Sequence, residues 1–146
     1  MDVSPAGNES LLNAPFVGTW RLVSYVMIDS DGSSRPYWDD HPIGQLVYTA
    51  NGQMCAQLYD GRRLPLNVDP ESASAESVRP LYVGSAAYFG TYTVDTALSR
   101  VTHIVQGAWL PEWIGRRLTR SYRFISENQL ELSVPGFKLH WQRVHE

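Results

Sequence analysis

Gly18-Thr19-Trp20-Arg21-Leu22-Val23-Ser24-Tyr25-Val26-Met27-Ile28 decides the fold class. The run is rich in β-branched and aromatic residues, so it reads as a long strand opened by a glycine and a tryptophan. Outward from it the chain continues almost entirely as strand and turn. Ile43–Thr49 and Gln53–Tyr59 flank Ala50-Asn51-Gly52, and Asn-Gly between apolar runs is a strong hairpin signal. Ala87–Val94 and Val101–Gly107 are joined by residues 95–99, Leu118–Ile125 and Gln129–Val134 by 126–128, and Pro135-Gly136 leads into Phe137–Val144. With the first strand at 17–28 this makes eight strands, mostly with short connections. An all-β, antiparallel, up-and-down barrel closed on itself satisfies every edge of such a sheet.

Two stretches interrupt the meander. The connection from Arg35 to Pro42 carries Tyr37 and Trp38 and is expected to fold over one barrel mouth. Asp69-Pro70-Glu71 reads as a helix start, with Asp69 as cap, and Pro80 is expected to stop that helix near Arg79. This short helix is read as a lid. Residues 1–14 are small and polar and read as a flexible tail, leaving 15–146 as the single barrel domain. Asp29-Ser30-Asp31-Gly32-Ser33-Ser34 has the acidic spacing of a calcium loop but lacks its glycine and its closing glutamate, so it reads as a solvated turn.

Composition narrows the function. The 146 residues carry a net charge of −3, which supplies no basic field for nucleic acid or an anionic membrane surface. No segment approaches the roughly 20 apolar residues of a membrane span. The N-terminus lacks the basic start and apolar run of a secretory signal, and the single cysteine, Cys55, permits no intrachain disulfide; the expected location is the cytoplasm. His41, His103, His140 and His145 have no metal-ligand spacing, so no metal is expected. A phosphate loop, a dinucleotide fingerprint and a Gly-x-Ser-x-Gly turn are all missing, so no cofactor is expected. Glu131 is the one carboxylate within a strand, which disfavours a paired-carboxylate mechanism.

Several blocks resemble, in order, those of small intracellular lipocalin-like domains. They are Gly18-Thr19-Trp20-Arg21-Leu22-Val23-Ser24, then Gly44-Gln45-Leu46-Val47-Tyr48 through Gly52-Gln53-Met54, then Ala87-Tyr88-Phe89-Gly90-Thr91-Tyr92-Thr93-Val94-Asp95. Val101-Thr102-His103, then Gly107, Pro111, Trp113, Gly115, Arg120 and Leu130-x-Leu132 complete the resemblance, which spans 17–144. It implies a lipocalin-like barrel. Some small barrels of similar architecture act as cyclases or isomerases in natural-product pathways, and others only bind. After His103 many members continue His-Val-Glu, where this chain has Ile104-Val105-Gln106. The resemblance also implies a basic side chain stacked on the first-strand Trp20, with Arg120 the first choice and Arg143 the competing one.

Alternation along the strands selects candidate lining residues. Val101, His103 and Val105 share one face, and Arg120 shares a face with Leu118 and Tyr122. An interior His103 can move a proton or polarise a carbonyl, or be held structurally by backbone or tyrosine. The catalytic candidates are His103, Arg120 and Tyr122. The expected wall is Trp20, Leu22, Val26, Met54, Leu58, Tyr88, Tyr92, Val105, Trp109, Tyr122 and Trp141, with Ser24 and Gln57 as polar anchors. Such a wall suits a small hydrophobic, ring-containing partner.

Three functions are open at this point. One is a cofactor-independent cyclase or isomerase acting on a polyketide- or terpenoid-like intermediate, with a Tyr hydroxyl (Tyr88, Tyr92 or Tyr122) and Arg120 stabilising developing negative charge. The second is a carrier for a hydrophobic metabolite. The third is a filled, self-associating barrel, a homodimer joined through an outer face of Val23, Tyr25 and Met27.

Overall fold

In the computed structural model, residues 12–38 and 41–145 are described. The strands are β1 (Gly18–Ile28), β2 (Ser34–Pro36), β3 (Ile43–Tyr48), β4 (Gln53–Tyr59), β5 (Ser85–Asp95), β6 (Arg100–Ala108), β7 (Arg117–Ser126), β8 (Gln129–Val134) and β9 (Phe137–Arg143). The sheet runs β2-β1-β3-β4-β5-β6-β7-β8-β9, and β1 also pairs with β9. Every pairing is antiparallel. Eight strands thus close a barrel of the expected up-and-down type, in which no long edge is left unpaired. The three-residue β2 is an addition to the expected strands; it lies in the long connection and pairs with the far end of β1 through Val26, Met27 and Ile28.

The first strand departs from simple alternation. Leu22 pairs with Trp141 and Ser24 with His140, so Val23 is an extra residue in β1. A β-bulge of this kind reverses which side chains face inward beyond it. Tyr25 therefore packs against the core, while Val23 is exposed. The outer face expected of Val23, Tyr25 and Met27 is thereby broken up, and Ser24 and Val26 lose the lumen positions that alternation predicts for them.

A second bulge fixes a glycine. Phe89 pairs with Gly107 but Gly90 with Val105, leaving Gln106 unpaired in β6. A Cβ on Gly90 would lie 1.8 Å from the Ile104 carbonyl oxygen, a collision with backbone rather than with a movable side chain. Gly90→Ala is expected to destabilise the barrel by about 3 kcal/mol or more. A chemical denaturation midpoint within error of wild type would contradict that account of the bulge.

The barrel end beside the start of β1 is plugged. Residues 13–17 turn across it, and Phe16, 1% exposed, contacts Tyr48, Tyr92, Tyr122 and Phe124 ring to ring. Trp20 Nε1–H donates to the Phe16 carbonyl at 2.9 Å. Of the tail expected over 1–14, residues 1–11 lie outside the described residues, whereas Asn13 is buried and its carbonyl accepts from Phe16 N–H. The basic residue on Trp20 is Arg143, with its guanidinium carbon 4.2 Å from the ring centroid. This corrects the first choice of Arg120. Arg143 also donates to the carbonyls of Val17, Pro15 and Glu127, so one side chain ties the plug to the β7–β8 turn.

The helical segment also differs from expectation. Asp69 caps a 3-10 turn, Pro70–Ser72, while the α-helix α1 covers Ala75–Val83 with Ser74 as its cap. Pro80 lies inside α1 rather than ending it. In a helix this short its missing N–H removes a single bond, and Gly84 N–H closes the end on the Pro80 carbonyl. No residue of α1 is buried; Tyr82 O–H donates to the Trp109 carbonyl at 3.1 Å. No helix among the described residues is long and apolar enough to cross a membrane.

Candidate functional site

Away from the plug the barrel is not filled. A cavity of about 110 Å³ is lined by Tyr25, Leu46, Ala56, Leu58, Ala86, Tyr88, His103, Trp113, Arg120, Leu132, Val134, Phe137, Leu139 and Trp141. Alternation explains most of this wall. Leu46, Ala56, Leu58, Tyr88, His103, Leu132 and Trp141 are the inward members of β3, β4, β5, β6, β8 and β9 and are buried. Tyr25 joins them because of the β1 bulge. Outside it, Tyr37 stacks on Tyr25 with centroids 4.7 Å apart, and Trp38 meets Tyr25 edge-on at 5.4 Å. The connection expected over one mouth thus covers the Tyr25–Phe137 side through residues 37 and 38; Asp39 and Asp40 lie outside the described residues. The helix expected as a lid contributes nothing to the cavity wall.

His103, 2% exposed, is held between two tyrosines: its Nε2 lies 2.6 Å from the Tyr48 hydroxyl and its Nδ1 2.7 Å from that of Tyr88. Burial, and secondarily the Arg120 charge, push its pKa down to about 3, so the ring is neutral at pH 7. A neutral imidazole has one donor and one acceptor, and the tautomer follows from the partners. If Tyr48 donates to Nε2, the Nδ1–H donates to Tyr88, and the Tyr88 O–H is left free on the cavity wall. The reverse tautomer would strand the Tyr48 O–H where the structure gives it no other acceptor, a cost of roughly 1–3 kcal/mol. We therefore assign the Nδ1–H form.

Arg120 is half-buried on the same wall and close enough to Tyr88 to act on its hydroxyl. Burial still raises the Tyr88 pKa to about 12, against the opposing Arg120 charge, and burial raises that of Tyr25 to about 12. Both phenols are protonated donors at neutral pH. Among the described residues no carboxylate lines the cavity and Arg120 forms no ion pair. Trp141 is 2% exposed, and its Nε1–H has no hydrogen-bond partner among the described residues. The wall is thus apolar over most of its area, and at one part it carries donors and a positive charge without acceptors to match.

The structure gathers five of the expected residues on this cavity: Leu58, Tyr88, His103, Arg120 and Trp141. Trp20, Leu22, Met54, Tyr92 and Val105 are buried but do not line it. Tyr122 sits against Phe16 at the plugged end, 4.8 Å between centroids, so it is separated from His103 and Arg120 as a candidate catalytic group. Tyr92 O–H is spent on the Thr49 carbonyl. Gln57 points outward, because Met54, Ala56 and Leu58 take the inward positions of β4. Ser24 is turned out by the bulge. Trp109 lies in an outer groove with Cys55 and Phe89, its ring 4.9 Å from Trp113. Nine lining residues were absent from the expected wall: Tyr25, Leu46, Ala56, Ala86, Trp113, Leu132, Val134, Phe137 and Leu139. Phe137 and Leu139 share the alternation phase of Trp141 and could have been found from it; Tyr25 could not, since the bulge leaves no mark in composition.

A closed eight-stranded antiparallel barrel with a plugged end and an internal cavity defines the class of small β-barrels whose interior is filled by side chains or holds one small ligand. Residues 17–143 match the family model described as Lipocalin-like domain, and the chain belongs to that family. A crystal structure of a lipocalin-like protein from Bacteroides uniformis is similar over 89% of this chain and 99% of its own, with a TM-score of 0.51 and 18% identity, which shows the fold alone. A crystal structure of an uncharacterized protein from Bacteroides eggerthii covers 88% of this chain and 98% of its own at 13% identity, with a TM-score of 0.48. Comparison with curated proteins found no match.

Proposed function

We propose that this barrel is a binding protein for a small, ring-containing hydrophobic molecule held in the Tyr25–Trp141 cavity. The observation that carries the reading is the cavity itself: about 110 Å³ of space walled by aromatic and aliphatic side chains, in a barrel whose other half is packed ring against ring. This volume is smaller than the void of about 150 Å³ that takes benzene and well below the roughly 300–1,000 Å³ of sites for drug-sized ligands, so one ring is the upper limit. A single ring suits this space; a multi-ring polyketide or terpenoid does not fit within it.

Binding is favoured over catalysis by the state of His103. Both ring nitrogens are engaged by tyrosines, and a base with a pKa of about 3 has little driving force to take a proton at pH 7. Native mass spectrometry of freshly purified protein, followed by solvent extraction, is expected to release a bound molecule with one ring. A protein that stays empty and binds no single-ring compound at millimolar concentration would remove this reading.

One observation favours the second reading, a cofactor-independent isomerase or cyclase. The free Tyr88 O–H beside Arg120 is suited to stabilise an enolate oxygen. In that case the extracted molecule is converted on incubation with wild type, and Tyr88→Phe abolishes conversion while still binding. A ligand recovered unchanged leaves the carrier reading in place.

A further inference from the structure

Resting on the binding reading, we propose that the ligand is an anion: a ring bearing a carboxylate, with the carboxylate seated on Arg120 and the ring against Leu58, Leu132 and Leu139. Two independent observations support it. The first is a guanidinium on the wall of a largely apolar cavity where, among the described residues, no carboxylate lines the space or pairs with it. A half-buried permanent charge facing apolar side chains leaves room for a partner of opposite sign, and the planar fork of Arg matches a carboxylate with two parallel bonds.

The second is Trp141, whose side chain lines the same cavity and whose buried Nε1–H has no acceptor among the described residues. Buried donors are nearly always satisfied, so an orphan beside a cavity marks where a ligand acceptor belongs. The Tyr88 O–H, freed by the His103 tautomer, adds a third donor. The described residues therefore present donors and a positive charge to the cavity and almost no acceptors, the pattern of an oxyanion site rather than of an alcohol, amine or cation site. Burial keeps the phenols of Tyr25 and Tyr88 protonated, so neither competes as an anion.

The test compares benzoate with benzyl alcohol, a neutral probe of nearly the same shape, by calorimetric titration of the full chain at pH 7. Benzoate is expected to bind at least about tenfold more tightly. Arg120→Gln should bring benzoate down to the benzyl alcohol level, Arg120→Lys should restore part of the preference, and Trp141→Phe should weaken benzoate severalfold. Equal binding of the two probes to wild type, or tighter binding of the alcohol, would overturn the anion assignment and leave the binding reading intact; this arm needs no variant to fold. A benzoate preference that survives in folded Arg120→Gln would overturn the role of Arg120. If neither probe binds, the binding reading fails and the anion assignment fails with it.

Discussion

Lowering the pH from 7 towards 4 is expected to destabilise the barrel steeply, with His103 the main cause. In the folded protein its pKa is held down to about 3, against an ordinary value of 6.5. Between those values the unfolded chain binds a proton at His103 and the folded one does not. Folding stability therefore rises with pH through this window, is fully present above about pH 6.5, and is lost as the pH falls, at about 1.4 kcal/mol per pH unit for one proton. Extended over the whole window this is on the order of 5 kcal/mol, a large fraction of the stability of any small domain. Asp60 and Glu131, whose pKa values are lowered chiefly by pairing with Arg62 and, despite burial, by Arg123 and Lys138, act in the same direction. Their contribution is lost only below about pH 4.5, so the upper part of the window belongs to His103. Urea unfolding from pH 7 to 5 should show the slope, and His103→Gln should be less stable at pH 7 but nearly flat over that range. A variant with the wild-type slope would show that the titrating group lies elsewhere.

Trp20→Ala is expected to cost about 4–5 kcal/mol, the upper range for emptying a fully buried aromatic site. Three losses act together: a side chain with no exposed surface, the cation–π contact with Arg143, and the bond to the Phe16 carbonyl. For a domain of this size the melting temperature should fall by roughly 10–20 °C. Trp20→Phe keeps most of the apolar contact and should cost about 1–2 kcal/mol, mainly the stranded carbonyl. A thermal melt of Trp20→Ala within about 3 °C of wild type would mean that the plug does not hold the barrel end. Because the plug and the cavity lie at opposite ends, Trp20→Phe is expected to leave ligand affinity unchanged.

The closed barrel was legible because its signals are local and repeated: a hairpin Asn51-Gly52, short turns at 126–128 and 135–136, and alternation that holds through β4, through β8 and through β6 as far as Val105. Alternation put His103 on an inward face of β6 and Arg120 on one face of β7 with Tyr122, while the first expectation for Arg120 was the stack on Trp20. What was not legible depends on single extra residues and on long-range packing. Val23 as a bulge moves Tyr25 onto the cavity wall and Ser24 off it, and nothing in the string Leu22-Val23-Ser24 announces the insertion. Arg143 rather than Arg120 stacks on Trp20 because Trp20 and Arg143 are directly paired across the β1–β9 closure, a register that is settled only when the barrel closes. Pro80 within α1 shows the same limit in another form: an unfavourable local preference outweighed in a two-turn helix held by Ser74 at one end and Gly84 at the other.

The central claim, that the wall around Trp141 and Arg120 is a ligand site, is most directly tested at the Trp141 indole N–H itself. A two-dimensional nitrogen–proton NMR titration with benzoate follows each tryptophan side chain separately, with Trp141→Phe assigning the resonance. The account predicts that the Trp141 N–H moves downfield and saturates as it gains an acceptor, while the Trp20 N–H, already bonded to the Phe16 carbonyl, stays in place. An unmoved Trp141 resonance at saturating benzoate, or a uniform drift of all the indole signals, would contradict it.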